Sequence, residues 1–283
     1  MKLLKFSPLY NVIPNSMATL DLKQFFGMVY HRIILQLGGT FTKSQITEIR
    51  IKANGKLIFQ DSGSRIDLIN QYKGLAASAT LLTIDFTEPR MRDQFEQLMG
   101  GLDTGKDKTG MPKVSSLLME IDIAGATNPT LVAYLDCGYQ DTQVEKISVD
   151  LIGKRLLFSF PVSATASRFP LQIPYGAQGG SLIKRIHLVG SNNNITVNGV
   201  VINKDSAPIF DLPLAVNQFV QAEFQRTPQA SLFTVDFIVD MNMNANILNA
   251  ANAASMEYYA DITVTTPGNL TAIVELLDPL LNN

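Results

Sequence analysis

The sequence has no tryptophan, one cysteine (Cys137) and two histidines (His31 and His187) in 283 residues. A single cysteine excludes an internal disulfide framework and any cysteine-rich zinc site. Two imidazoles are too few for a multi-histidine metal centre. Charge is scarce as well, at 17% of residues against roughly 25% in an ordinary soluble domain. The 23 basic and 25 acidic residues leave a net charge of −2. The basic surplus on which phosphate binding depends is therefore missing, and direct sequence-specific nucleic-acid binding is not expected. Long apolar runs are absent too. The longest stretches free of Lys, Arg, Asp and Glu, 186–203 and 241–256, are loaded with asparagine, and neither reads as the roughly 20 apolar residues of a membrane helix. The opening MKLLKFSPLYNVIP carries Lys2 and Lys5 but no sustained apolar stretch and no small-residue cleavage site, so it does not read as a signal peptide.

What is present is apolar bulk. Hydrophobic residues make up 46% of the chain, and a surface this short of charge is best accounted for by cover from a partner subunit. The length suits two domains or one large β domain, with a core large enough to need no metal or disulfide staple.

Most of the chain reads as short strands. Arg32–Leu37, Ile46–Ala53, Leu81–Phe86, Leu118–Ile123 and Leu131–Leu135 are β-branched or alternating runs in the first half. Leu156–Phe160, Leu182–Val189, Ile195–Ile202, Leu232–Val239, Tyr258–Val264 and Leu270–Leu277 follow in the second. Gly, Pro, Asn and Asp bound them, which is the punctuation of a sandwich or barrel. Asn54-Gly55 and Asn198-Gly199 carry the type I′ hairpin signal, since both residues tolerate positive φ. Three helices are expected. One opens at Thr87-Glu88-Pro89, carries Met91, Phe95, Leu98 and Met99 at helical spacing, and closes at Gly100-Gly101. A second is capped by Asp211, with Val216, Phe219 and Val220 on one face. The third spans 243–256, where many asparagines oppose it.

An internal repeat organises these elements. Ile69-Asn70-Gln71-Tyr72 recurs as Val216-Asn217-Gln218-Phe219, from 69 to 216, an offset of 147. Thr83-Ile84-Asp85-Phe86 recurs as Thr234-Val235-Asp236-Phe237, from 83 to 234, an offset of 151. The Asn-Gly pairs are offset by 144 and Asp122-Ile123 from Asp261-Ile262 by 139. Four words in one order, each in the same predicted context, indicate duplication. About eight antiparallel strands per half suit a jelly roll. The expected fold is all-β: two tandem eight-stranded jelly rolls with a few short helices in the connections. The first occupies 1–155 with its connecting region, the second 156–283.

No set of residues points to catalysis, a cofactor or a metal. Gly100–Asp107 (GGLDTGKD) approaches a phosphate-binding loop, but Asp107 stands where the motif needs Ser or Thr. It also follows a helix where the motif follows a strand, so a flexible solvent loop over 100–113 is expected. Aligning RIIL with RIHL pairs His31 with Lys184 and His187 with Ile34, so the histidines are not equivalent and neither half holds a cupin-like ligand set. No G-x-S-x-G occurs. Cys137 has no neighbouring cation to activate it and reads as an inert, semi-buried thiol. Asp136 and Asp141 offer two oxygen donors where calcium wants six or more, so a solvated acidic loop is the better reading. Asp85 and Asp236, in matched strands, suggest a structural role in each barrel.

Ile13-Pro14-Asn15, Ile49-Arg50-Ile51 leading into Asn54-Gly55-Lys56-Leu57, and Asp85-Phe86-Thr87-Glu88-Pro89-Arg90-Met91 resemble the major capsid protein of corticovirus-type bacteriophages, icosahedral phages with an internal membrane. The resemblance is plainest over 13–135, and over 170–283 it rests on the order of elements. It implies a non-enzymatic double jelly roll standing upright on the virion, related in architecture to tectivirus and adenovirus capsid proteins. Three copies would form a pseudo-hexagonal capsomer of six barrels, contacting neighbouring capsomers, the internal viral membrane and minor membrane or vertex proteins. Synthesis and assembly would take place in the bacterial host cytoplasm. By the same analogy Lys2, Lys5 and the C-terminal LLDPLLNN would face the inside of the shell, with the basic N-terminus near anionic lipid. Two other functions compete. A carbohydrate- or receptor-binding tandem jelly roll would use aromatic platforms such as the adjacent Tyr258 and Tyr259, although tryptophan is absent. A two-barrel enzyme would need paired carboxylates or metal ligands in a cleft.

Overall fold

The computed structural model describes residues 2–106, 110–139, 151–174, 181–191, 194–250 and 253–280. The chain divides into two compact units. The first holds the described residues up to Gln71 and from Leu75 to Arg155; the second holds Tyr72–Gly74 and the described residues from Leu156 onward.

The first unit contains β1 (Lys2–Lys5), β2 (Met17–Asp21), β3 (Met28–Gly39), β4 (Ile46–Ala53), β5 (Lys56–Asp61), β6 (Leu81–Asp85), β7 (Leu102–Asp103), β8 (Leu117–Ile123) and β9 (Pro129–Tyr139). One sheet runs β1-β9-β3-β6, with β7 also on β3, and the other runs β5-β4-β8-β2. Alternation decides which face is buried. Ile33, Leu35 and Leu37 of β3 and Ile49, Ile51 and Ala53 of β4 are sealed in the core; each such aliphatic side chain contributes about 1.5–3 kcal/mol. The intervening positions of β4 form a charged ladder on β8. Arg50 lies 3.0 Å from Glu120 and 2.8 Å from Asp122, and Lys52 lies 2.9 Å from Glu120. The hydrogen bond from Lys52, helped by Arg50, holds the Glu120 carboxyl below its ordinary range. Asn54 and Gly55 close the β4–β5 hairpin with φ of 52° and 79°, as the sequence predicts. Helix α1 (Gly63–Tyr72) follows, its first turn held by the Ser62 hydroxyl accepting from the Arg65 amide.

The second half repeats the first strand for strand. Its strands are β10 (Leu151–Val162), β11 (Ala166–Pro170), β12 (Leu182–Gly190), β13 (Ile195–Lys204), β14 (Ala207–Pro213), β15 (Phe233–Asp236), β16 (Leu248–Asn249), β17 (Met256–Val264) and β18 (Gly268–Pro279). Their orders are β10-β18-β12-β15, with β16 on β12, and β11-β17-β13-β14. Adding nine to every strand number of the first half reproduces the second. Helix α1 precedes β6 as α3 (Leu214–Glu223) precedes β15, and the short helices α2 (Gln94–Leu98) and α4 (Met243–Asn246) also sit at matching places. Ile183, Ile186 and Leu188 of β12 share one core with Val197 and Ile202 of β13 and Ala260 and Ile262 of β17. The two sheets of this unit therefore pack face to face.

Several expectations are corrected. Asn198-Gly199 is no hairpin turn: it lies inside β13 at a bulge opposite Asp261, and the chain turns at Asp205-Ser206, with φ of 52° and 68°. Turning at Asn198 would have stripped β17 of its partners from Val200 to Lys204, so strand pairing overrides a local turn preference. With Asp205 as the true counterpart of Asn54, the offset becomes 151, the same as for T-[IV]-D-F. The helix expected from Thr87 to Gly101 shrinks to the five residues of α2, capped by Asp93, whose side chain accepts from the Phe95 amide. The helix expected over 243–256 shrinks to four residues capped by Asn242, and the chain then extends as β16. Asp211 belongs to β14 and caps nothing; α3 begins after Pro213. The loop expected over 100–113 is partly built into the fold. Leu102 is fully buried in β7, and the Thr104 hydroxyl donates to the Met28 carbonyl at 2.7 Å.

Candidate functional site

The duplicated words have a shared purpose in the two units. Asn70 of α1 donates to the Thr83 carbonyl at 2.8 Å, and Asn217 of α3 donates to the Thr234 carbonyl at 2.8 Å. Each asparagine satisfies a strand carbonyl that its helix covers, worth about 1–3 kcal/mol when the alternative is an unpaired buried group. Likewise Arg32 and Arg185 stand at equal places on β3 and β12, each flanked across the sheet by two acids. Arg32 is opposite Asp85 and Asp136, and Arg185 is opposite Asp236 and Glu275.

The surroundings of the two arginines differ. The Arg32 side chain is 31% exposed and pairs with Asp136 at 2.9 Å. Arg185 is fully enclosed and lies 3.0 Å from both Asp236 and Glu275. In the second unit the cluster grows: Lys73 Nζ donates to Glu275 at 2.8 Å, Tyr72 Oη donates to Asp236 at 2.9 Å, and Arg226 lies 3.3 Å from Asp236. His187 joins through Nδ1, 2.9 Å from the Thr234 hydroxyl. Burial pushes the His187 imidazole below its ordinary value against the pull of Glu275, and raises the Tyr72 phenol well above its own. His187 is thus neutral at pH 7. Sequence reasoning singled out Asp236 and both histidines but missed Arg185, Glu275, Tyr72 and Lys73. The signal for Arg185 was the repeated R-I-[IH]-L word; that for Tyr72 and Lys73 was the polar ending of α1.

The remaining candidates fall apart on inspection. The His31 ring lies beside Gly138, where a Cβ would meet it at 3.1 Å. Cys137 is buried, and burial pushes its thiol up. Asp136 is engaged by Arg32, while Asp141 and Asp107 lie outside the described residues. Asp103, in the segment after Gly100, pairs with Lys113 at 2.6 Å. Tyr258 is a core residue, and Tyr259 stacks under Arg168 at 4.1 Å, which removes the paired aromatic platform. Among the described residues no cluster of three or more His, Cys, Asp or Glu has metal-binding geometry. A cleft of about 370 Å³ beside β12 and β13 is lined by Leu188, Ile195, Val197, Leu214 and Phe233 among others, and none of its lining residues carries a titratable side chain.

The surface of the second unit is more informative. Helix α3 turns Asn217 and Gln221 inward and leaves Val216 46% and Phe219 64% exposed. Of the apolar residues expected on one face, Val216 and Phe219 lie on the outer side of the helix and Val220 is half-buried. The polar face is inner because Gln221 also donates to the Thr234 carbonyl, at 2.7 Å. Ile209 of β14 is exposed as well, and the segment 207–222 carries a single charge, Asp211.

The comparisons with known proteins bear on what such a molecule is. The family model "Viral coat protein P2 N-terminal domain" matches residues 3–154, and "Viral coat protein P2 C-terminal domain" matches 155–280. The chain belongs to the viral coat protein P2 family. Its structure is similar to that of the major capsid protein P2 from bacteriophage PM2, at 19% identity and a TM-score of 0.81, over 98% of this chain and 96% of that one. It also resembles the STIV MCP, at 13% identity and a TM-score of 0.70, over 99% and 98% of the two chains. A third similar structure is the PBCV-1 virus capsid, at 10% identity and a TM-score of 0.59, over 100% and 95%. No curated protein matches the chain in sequence. The fold of this P2-family chain is the double jelly roll, as the strand orders indicate.

Proposed function

We propose that this chain is a major capsid protein, a structural subunit with no catalytic role, whose two jelly rolls meet at residues 155 and 156. Three copies associate so that six barrels form a pseudo-hexagonal capsomer, and capsomers tile an icosahedral shell over an internal membrane with minor membrane or vertex proteins. The protein is made and assembled in a bacterial host cytoplasm. The observation that carries this reading is the strand-for-strand duplication of one jelly roll in a chain of the P2 coat family. Two like barrels per copy are what a three-copy ring needs to approximate six-fold tiling. The lack of charge and the exposed Val216 and Phe219 of α3 support self-association. Lys2–Lys5, anticipated near lipid, form strand β1 on β9, with Lys2 against the Tyr139 hydroxyl, so the membrane contact is not assigned to a free basic arm.

Light scattering after size exclusion tests the reading. Three copies of 31.0 kDa give 93.0 kDa, with larger shells or sheets at high concentration. A stable species of 31.0 kDa at every concentration would refute it. Release of lipid from purified particles by detergent tests the membrane component.

A further inference from the structure

We infer that His187 is an acid-operated latch of the second unit: a proton taken up by its ring opens β12 from β15 and β18, while the first unit stays closed. The latch goes beyond the proposed function and does not depend on assembly.

The duplication shows what is special about this position. Arg32 and Arg185 stand at equal places on β3 and β12, and two residues on from each stand Ile34 and His187. Ile34 lies opposite Thr83 of β6, and His187 lies opposite Thr234 of β15. The repeated threonine thus faces an aliphatic side chain in one unit and an imidazole in the other. Burial differs too: Ile34 is half-buried, whereas His187 is completely enclosed. The first unit has a histidine of its own on β3, His31, but it is only half-buried and takes its proton with the strand in place.

The enclosed ring suits the neutral form alone. Its Nδ1 is 2.9 Å from the Thr234 hydroxyl, while Nε2 has no hydrogen-bond partner among the described residues. A protonated imidazole must donate from both nitrogens. Glu275 on β18 comes within 3.7 Å of Nε2, beyond hydrogen-bond reach, and it is already engaged by Lys73 at 2.8 Å and Arg185 at 3.0 Å. Asp236 on β15 is engaged by Arg185, by Arg226 and by the Tyr72 hydroxyl, and the Tyr72 ring meets the imidazole edge-on at 5.7 Å between centroids. A proton on His187 would therefore add a positive charge beside Arg185, Lys73 and Arg226 in a site closed to water, where burial penalises the charged form. The ring gains its proton once β12 parts from its neighbours and water enters. Acid then favours the opened strands by up to about tenfold per pH unit below about 6.5, and strands can open locally without global unfolding.

Hydrogen exchange of the full-length chain, read by mass spectrometry at about pH 7.5 and about pH 5.5 and corrected for the intrinsic chemical rate, tests the latch. Peptides from β12, β15 and β18 should open more in acid, by up to about tenfold per pH unit, and those from β3, β6 and β9 should not. His187→Ile, which places against Thr234 the residue that already faces Thr83, should abolish the difference. His187→Gln, neutral and still able to bond the Thr234 hydroxyl, should do the same, so either variant suffices. In the wild type, the NMR signal of the His187 ring, told from that of His31 with His31→Gln, should keep its neutral position down to about pH 6. The latch is wrong if acid opens no strand of the second unit, or if the response persists in the folded variants. It is equally wrong if β3, β6 and β9 respond alike, or if His187 titrates as an exposed histidine does.

Discussion

Matched charge removals at the duplicated arginine clusters give opposite expectations for two positions that look alike in sequence. Glu275→Gln deletes the negative charge that faces Arg185 at 3.0 Å, Lys73 at 2.8 Å and His187 at 3.7 Å, with every one of these side chains buried. Breaking a buried ion pair from one side costs about 3–5 kcal/mol; here Lys73 and Arg185 each lose a carboxylate that faces them, while Arg185 keeps Asp236 at 3.0 Å. Asp136→Asn deletes the charge facing Arg32, whose guanidinium is 31% exposed although Asp136 itself is buried; a pair open to water on one side is screened toward the roughly 0–1 kcal/mol of surface pairs. For domains of this size a loss of 1 kcal/mol lowers the melting temperature by about 2–4 °C. Glu275→Gln should therefore melt roughly 6–20 °C below the wild type, and Asp136→Asn within about 4 °C of it. Calorimetry with a parallel urea titration reads both. Equal losses for the two variants, or a Glu275→Gln protein within about 1 kcal/mol of wild type, would refute the claim that the sealing of the second cluster sets its energetics.

Other expectations follow from single sites. The His187 imidazole is held below its ordinary value by burial, so the unfolded chain binds more protons than the folded one between the folded pKa and about 6.5. Stability should then fall as pH drops through that window, by at most about 1.4 kcal/mol per pH unit from this group, and His187→Asn should flatten the slope in urea titrations at stepped pH. The Tyr72 phenol is raised, by burial first; its folded form holds the proton after the unfolded one has lost it, so stability should decline as pH rises above about 10. Gly39 has φ of 68°, and a Cβ there would lie 2.1 Å from the Asn128 carbonyl oxygen, whereas Gly55 has φ of 79° in open space. Gly55→Ala should cost about 1–2 kcal/mol for the left-handed backbone, and Gly39→Ala about 1–3 kcal/mol more for the collision. Chemical denaturation of the two variants checks the difference.

The sequence exposed those parts of the fold that are set by local periodicity. Strand β4 runs over Ile46–Ala53, as its alternation requires, and Asn54-Gly55 turns where its φ preferences point. The duplication was legible because T-[IV]-D-F and the helix asparagines occupy the same structural position in each unit, each asparagine holding the threonine carbonyl of its own strand. What was not legible depended on partners far along the chain. Asn198-Gly199 has the turn chemistry but lies opposite Asp261, and pairing with β17 keeps it extended. Met91, Phe95 and Leu98 have helical spacing, yet only five residues beyond the Asp93 cap form the helix. Of the charged cluster, Asp236 was visible as half of a repeated word. Glu275 was not, because its role is set by Lys73, two hundred positions away in the chain, and no short window contains both.

Helix α3 shows why hydrophobic patterning misassigns an interface. A window read alone places Val216, Phe219 and Val220 inward, since burying apolar area is the dominant local gain. The Thr234 carbonyl beneath α3 needs a donor, and Asn217 and Gln221 supply it at 2.8 and 2.7 Å, fixing the rotation of the helix with its amides inward. The apolar residues are then turned to solvent at the cost of their burial. A partner that covered them would return that burial, so the polar inner face is what leaves the outer face apolar. The same reasoning accounts for the composition. A chain with 17% charged residues can carry apolar side chains on its exterior when each is covered on assembly, and Val216 and Phe219 of α3 are two such residues of the described surface.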